Sequence, residues 1–202
     1  MNEVKPRRRD ISKALTRAAM LDAARTLFAT KGFDATSIDD IARASESSNG
    51  AVYHHFRDKQ QIFADVFRDS QAAILQASVA DMPTDTTAWE RVEFATRAFL
   101  RGYVSDTEAR ALLGQAIGVL GWDRVHRIDE EMSLPLIRAG LAEAVTTGEA
   151  TSVPVDAAAD LLISVYCSAI LIIAARPDPD QAAAEVETVL FALLSGLRTK
   201  PH

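Results

Sequence analysis

Cysteine is almost missing from this 202-residue chain, Cys167 being the only one. A lone thiol cannot form an intramolecular disulfide and excludes a paired-cysteine metal site. Its place in an apolar run predicts a buried, inert thiol. Long hydrophobic runs are missing too. The most apolar stretch, residues 161–175, lies between Asp160 and Arg176 and is shorter than the ~18–20 residues that span a bilayer. It reads as a buried helix, and no membrane partner is expected. The basic N-terminus leads into charged, amphipathic sequence rather than an apolar run, so no signal peptide is expected and cytoplasmic residence follows. There is no repeat and no low-complexity tract. β-branched residues rarely alternate with polar ones, while alanine is abundant, so an all-α chain is predicted.

The motifs of common chemistries are absent as well. No nucleotide loop, metal-ligand cluster or nucleophile elbow appears. Glu130-Glu131 and His54-His55 are adjacent pairs. Neighbouring side chains on a helix point about 100° apart, so neither pair converges, and metal-binding histidines on a helix favour i,i+4 spacing. An enzyme is therefore not expected, nor a cofactor or a bound metal.

What is present is an ordinary globular composition, 48% hydrophobic and 25% charged, with an uneven charge. Residues 1–59 carry 11 Lys/Arg and 8 Asp/Glu, a net +3, whereas residues 60–202 carry 11 and 20, a net −9. A basic end on an acidic body suits a protein that brings one end to a polyanion.

Residues 1–11, with Arg7-Arg8-Arg9, read as a flexible basic arm or a solvated tail. From Ser12 apolar residues recur at helical spacing through Leu15, Met20, Ala24, Leu27 and Phe28. Gly32 suits a left-handed C-terminal position, after which Phe33 can fold back. Thr36 is the expected N-cap of the next helix, with Asp39 three residues on. A turn at Ser45-Glu46-Ser47 follows. Ser48 then caps a helix carrying Val52, Tyr53 and Phe56, and Asp58 caps a longer one. After a break at Met82-Pro83-Thr84-Asp85 come helices over residues 87–104, 107–119, 122–147, 156–175 and 179–198. Pro135 predicts a kink or break in the third of these. The expected division is an arm at 1–11, a first helical domain at 12–65 and a second helical domain at 66–202.

Residues 36–59 form two short helical patterns around a tight polar turn. In a helix-turn-helix the first helix braces and the second puts its N-terminal side chains against base edges. Ile38, Ile41, Ala42, Val52 and Phe56 supply the apolar bracing surface. Thr36, Ser37, Ser47, Ser48, Asn49, Gly50, Ala51, Tyr53 and His54 are the candidate DNA contacts, small or polar so that a backbone can approach. Serine hydroxyls and N–H groups at a helix N-terminus suit phosphate oxygens, and Asn49 has the groups to read an adenine edge. Lys59 is a candidate phosphate clamp. Spacing alone leaves a half-buried face of a small bundle as an open alternative.

The residues then carry a resemblance. Gly32-Phe33, Thr36-Ser37, Ile41-Ala42, the run Ser48-Asn49-Gly50-Ala51-Val52-Tyr53-His54-His55-Phe56 and Asp58-Lys59 resemble the DNA-binding domain of the TetR family of transcriptional regulators. The match covers about the first 65 residues. It departs from the family where Glu46-Ser47 replaces the usual Gly-Val of the turn, so Glu46 must take the turn geometry at steric cost.

The resemblance implies a homodimer that binds double-stranded operator DNA and answers to a small-molecule effector. Its last two helices would pair across a two-fold axis. The sequence agrees, because apolar residues cover most sides of the eighth helix and a wide stripe of the ninth. Leu162, Tyr166, Ile170, Ile173, Val189, Leu193 and Leu197 are the expected interface. A ligand pocket is implied among the middle helices, with Phe94, Phe99, Tyr103, Trp122, His126, Met132 and Tyr166 as candidates. Each of these also fits an ordinary core position. The composition of this region favours a partly apolar small molecule. The rival from another class is a dimeric helical scaffold with only weak DNA binding.

Overall fold

The computed structural model describes residues 8–199, and within them the chain forms nine α-helices. The expected arm at 1–11 lies largely outside the described residues. Its last four positions belong to the first helix, α1 (Arg8–Lys31). The chain divides into two compact units, the first ending at Asp69 and the second starting at Ser70.

In the first unit α1 is followed by α2 (Ile38–Ala44), α3 (Asn49–His55) and the start of α4 (Lys59–Ala80). Met20, Ala24 and Phe28 of α1 meet Ile41, Val52, Phe56, Ile62 and Phe63 in a core from which water is excluded. Phe33 folds back as expected: Phe28, Phe33 and Phe63 form a triangle of rings with centroids 5.3–5.6 Å apart, and Phe63 meets both of the others in the edge-to-face geometry that aromatic quadrupoles favour.

The cap of α2 differs from the sequence expectation by one residue. Ser37, not Thr36, is the N-cap, and it forms a capping box with Asp40 rather than Asp39. The reason is burial. Thr36 is 1% exposed and its hydroxyl donates to the carbonyl oxygens of Gly32 (2.8 Å) and Leu27 (3.3 Å). It ties the end of α1 and cannot also cap α2.

The turn between α2 and α3 closes as a Schellman motif. The Ser47 N–H donates to the Ala42 oxygen at 2.8 Å and the Glu46 N–H to the Arg43 oxygen at 3.3 Å. The motif demands a left-handed residue between them, and Glu46 supplies it at φ 52°, where a Cβ is strained. The Ser48 side chain then accepts from the Ala51 N–H and starts α3.

The second unit contains the end of α4 with α5 (Ala88–Ser105), α6 (Thr107–Leu120), α7 (Trp122–Thr146), α8 (Val155–Ala175) and α9 (Pro179–Ser195). Each starts within about a residue of its expected position, at a cap legible in the sequence for α5, α6 and α9: Thr87 with Glu90, Asp106, and Asp178 before Pro179. Helix α7 runs through Pro135 without a break. Glu131 and Pro135 are both exposed, so water can serve the carbonyl whose donor a proline removes. Helix α9 ends three residues earlier than expected, because residues 197–199 turn back to bond with the α7–α8 loop. There the Thr199 N–H donates to the Glu149 oxygen and the Thr151 N–H to the Leu197 oxygen, each at 2.8 Å.

Glu149 also fastens α5 through its side chain. Its carboxylate accepts from the N–H groups of Ala88 (3.1 Å) and Trp89 (3.0 Å). Hydrogen bonds from the Thr87 side chain, the Trp89 backbone and the Thr147 side chain hold its pKa at about 2. Trp89, Leu100, Leu112, Leu141, Ile173 and Leu194 form the core of this unit. Helix α8 has 21 residues, long and apolar enough by composition to cross a bilayer, but its Leu162, Ile163, Ile170 and Ile173 are buried against the rest of the unit. Gly102 lets α5 lie close to α4, since a Cβ there would stand 2.8 Å from Ile74 Cγ2.

The strain at position 46 has a measurable size. Glu46→Gly should raise unfolding stability by about 0.5–1 kcal/mol, because glycine takes the left-handed conformation without a Cβ clash. Urea unfolding of the two proteins, compared at equal m-value, tests this, and an unchanged or lower midpoint would mean that the turn holds no such strain.

Candidate nucleic-acid interface and buried cavity

The exposed surface of the first unit around α3 gathers most of the residues that the sequence singled out. Ser37, Ser48, Asn49, Gly50, Tyr53 and His54 are exposed, and Ser47 and Ala51 are half-buried. Tyr53 is 60% exposed, unusual for an aromatic with no internal role. Val52 and Phe56, on the opposite side of the same helix, are buried. This helical split explains how one short segment both packs and presents. Asn49 Nδ2 stands 3.4 Å from Asp39 Oδ1, and Asp39 is ion-paired with Arg43.

Gly50 is exposed, and a Cβ built there would meet only Ser48 Oγ, at 3.9 Å. The fold therefore has no use for glycine here. Its smallness opens the surface to something from outside.

Two candidates sit differently. Thr36 is buried and bonded inward, as described above, so its hydroxyl is not available to a phosphate. Lys59 is half-buried, and its ammonium donates to the carbonyl oxygens of Phe33 (2.7 Å) and Thr36 (2.8 Å) while lying 4.2 Å from the centre of the Phe33 ring. Most of its donor capacity is used inside the unit. His55, half-buried behind His54, has its pKa lowered by burial first and then by His54, Lys13 and Arg17. It is thus neutral near pH 7, as suits a packing position.

The second unit contains a partly open cavity of about 210 Å³ between the end of α4 and helices α5, α7 and α8. Leu75, Val79, Val92, Phe99, Ile137 and Ile170 make its wall mostly apolar. Of the expected pocket residues, only Phe99 and Tyr166 line it. Tyr103 stands one shell back, donating to Gln71. Trp122 is 55% exposed and stacks on His126 at 5.9 Å, while Phe94 and Met132 are half-buried away from the lining. Aromatic character does not single out the residues that line this cavity, since most aromatic side chains here pack between helices.

What the sequence reading missed is a polar group on the cavity wall. Asp129 is 92% buried. Its Oδ1 accepts from Gln71 Nε2 at 3.0 Å and its Oδ2 from Cys167 Sγ at 3.4 Å. Behind them, the Tyr103 hydroxyl donates to Gln71 Oε1, and nearby Thr96 and Tyr166 share a 2.7 Å hydrogen bond. Burial pushes the Asp129 pKa up to about 6, against the lowering effect of Cys167, His126 and Gln71. Burial and Asp129 push the Cys167 thiol up to about 12, which makes it inert as a nucleophile. A signal was available: Asp129 lies four residues after Val125 and next to Ile128, an acid set into the apolar stripe of α7.

Several expected interface residues face inward within the unit: Leu162, Ile170 and Ile173 are buried, and half-buried Tyr166 lines the cavity. Leu197 is half-buried. The outer apolar positions of α8 and α9 are Leu161, Ile172, Val189 and Leu193, all exposed, with Leu161 at 70%. The stripe is rotated by about one residue from its expected place on α8. Both sides of that helix are apolar, and only packing shows which one the unit covers.

Comparison with known proteins places these features. Residues 20–66 match the bacterial regulatory proteins of the tetR family, and residues 89–197 match the tetracyclin repressor-like C-terminal domain. A TetR-family transcriptional regulator from Pectobacterium atrosepticum has a similar solved structure, with a TM-score of 0.81 and 26% identity over 98% of this chain and 100% of that one. The HTH-type transcriptional regulator SrpR of Pseudomonas putida is 26% identical over 93% of this chain and 87% of its own length. The Tn10 TetC protein of Escherichia coli is 23% identical over 73% and 74%.

Asp129 yields a pH-dependent prediction. Its folded pKa of about 6 lies above the ordinary aspartate value of 3.8, so the native state holds the proton more tightly than the unfolded chain. Its destabilising effect is absent below the lower value, grows as pH rises between the two, and is complete above the upper one. Asp129→Asn should therefore stabilise the protein by roughly 2–3 kcal/mol at pH 7.5 and by almost nothing near pH 4. Thermal unfolding of both proteins across this range checks it. A gain that does not change with pH would remove the ionisation of Asp129 as its cause.

Proposed function

The chain belongs to the tetR family of bacterial transcriptional regulators, and from that premise we propose that it is a cytoplasmic repressor, a homodimer that binds a near-palindromic operator and leaves it when a small molecule occupies the cavity of its second unit. The observation that carries the reading is the outer face of α3. It is exposed, small and polar, with one large aromatic, and at Gly50 it is smaller than the fold requires. Two such helices in a dimer would enter successive major grooves about 34 Å apart. Ser47, Ser48 and Asn49 would meet phosphates and a base edge, and Tyr53 and His54 the backbone. The buried pairing of Lys59 favours a bracing role, with phosphate contact limited to its remaining donor.

The dimer would form through the outer stripe of α8 and α9, where Leu161, Ile172, Val189 and Leu193 are exposed. Apolar residues at these spacings suit helix-against-helix packing around a two-fold axis. Helix α4 is continuous from Lys59 in the first unit to Gln71 on the cavity wall, which makes it the natural carrier of effector occupancy. Operator and effector must then weaken each other's binding by the same factor.

Selection of random duplex DNA by the purified protein at moderate salt should enrich an inverted repeat. On that site Gly50→Ala should lower affinity by about tenfold or more while leaving thermal stability equal or slightly higher, since alanine favours helix. Tyr53→Ala should lose affinity likewise. Wild-type binding by both variants would move the DNA contact elsewhere. Leu193→Glu, measured by sedimentation equilibrium, should turn the dimer into a folded monomer with weak operator binding. A variant that stays dimeric would exclude this stripe as the interface.

A further inference from the structure

We propose that the effector is a small lipophilic cation, such as an arylalkyl amine, whose charge is received by Asp129 in the cavity of the second unit. The inference rests on the regulatory reading above and adds the chemical class of the ligand. The first ground is the direction of the hydrogen bonds. Gln71 and Cys167 both donate to the carboxyl of Asp129, and Tyr103 donates to Gln71 from behind. Every contact is arranged for an acceptor, so the site is built around a carboxylate rather than a carboxylic acid. A protonated Asp129 would need an acceptor for its own hydrogen, and of these partners only the Cys167 sulfur, a weak one, could serve.

The second ground is the missing counter-charge. Gln71, Cys167 and Tyr103 are neutral, and no ion pair of Asp129 occurs among the described residues. On its own helix His126 lies beside Glu130, its Nε2 3.3 Å from that carboxylate. Arg91, the cationic side chain on the cavity wall, is ion-paired with Glu143. A buried carboxylate whose hydrogen bonds all come from neutral donors, with His126 acting on it only through space, is left costly. A guest cation converts that cost into affinity, because an opposite charge counts for more beside a buried carboxylate than in bulk water.

The third ground is the rest of the wall. It is apolar apart from a few groups, and Phe99 and Tyr166, whose rings meet edge to face at 6.0 Å, offer aromatic surface to a cation. At about 210 Å³ the cavity is below the ~300–1,000 Å³ of drug-sized sites, so the guest is small. Residues 70–202 carry 10 Lys/Arg and 18 Asp/Glu, a net −8, which draws cations and repels anions.

Three probes of one shape decide the matter: 4-phenylbutylamine, 4-phenylbutan-1-ol and 4-phenylbutyrate, titrated calorimetrically into the full-length protein at pH 7.5. The amine should bind at least about tenfold more tightly than the alcohol, and the carboxylate least. In Asp129→Asn the amine should lose about thirtyfold or more, while the alcohol stays within about threefold, which also reports an intact cavity. The proposal is overturned if the alcohol or carboxylate matches the amine in the wild type, if no amine binding is seen at millimolar concentration, or if the variant keeps its preference for the amine. The wild-type ranking stands whether or not the variant folds. Fluorescence anisotropy of labelled operator separates the two readings. If the alcohol binds best and releases operator, the charge inference falls and the regulator stands. If the amine binds best but releases nothing, the ligand class stands and the effector-controlled repressor falls.

Discussion

The ammonium of Lys59, donating to the carbonyl oxygens of Phe33 and Thr36 from above the Phe33 ring, joins the loop before α2 to the first turn of α4. Charge-assisted hydrogen bonds in a half-buried setting are among the stronger single contacts a small domain can make. Much else in the first unit follows from this one. The loop it holds contains Thr36, whose hydroxyl closes the end of α1, and runs into Ser37, whose capping box starts α2. The Schellman turn at Glu46 then sets the direction of α3. A helix of two turns has little stability of its own. The outer face of α3 is defined only because its ends and its apolar side are fixed by neighbours.

The second unit works with the opposite economy. Its core is apolar and its ends are well capped, yet it keeps a carboxylate on the wall of an internal cavity. Such a group costs stability unless a partner meets its charge. Gln71, Cys167 and Tyr103 offset part of the cost, and the raised pKa of Asp129 reports the part they leave. Local capping rules hold for α5, α6 and α9, each of which starts at a side-chain cap. Asp129 on the cavity wall is the exception, and such exceptions cluster at functional sites.

The two units differ in how readable they were. The helix-turn-helix was legible nearly residue by residue, because its information is local: caps, a turn and an apolar stripe on each short helix. Its errors were local too. Thr36 and Ser37 are both good caps, and which of them serves depends on the carbonyls that burial places beside Thr36. Lys59 looked like a surface cation until the fold brought two carbonyl oxygens within its reach. In the second unit the helix boundaries were legible for the same reason, but not the cavity. Phe94, Tyr103, Trp122, His126 and Met132 share the residue types of a ligand site, and only packing could show that they stand elsewhere.

The sequence by itself determined that the chain is all-helical, where most helices begin, and which short segment presents a small polar face. Those properties depend on side chains within a few residues of each other. Tertiary structure alone decided which flank of α8 is covered and which is left bare, since Leu161 and Leu162 are equally apolar and point to opposite fates. It alone brought Gln71, Tyr103, Asp129 and Cys167 together from four helices. A helix dictates its own periodicity, but the direction its faces point is a property of the neighbours it packs against.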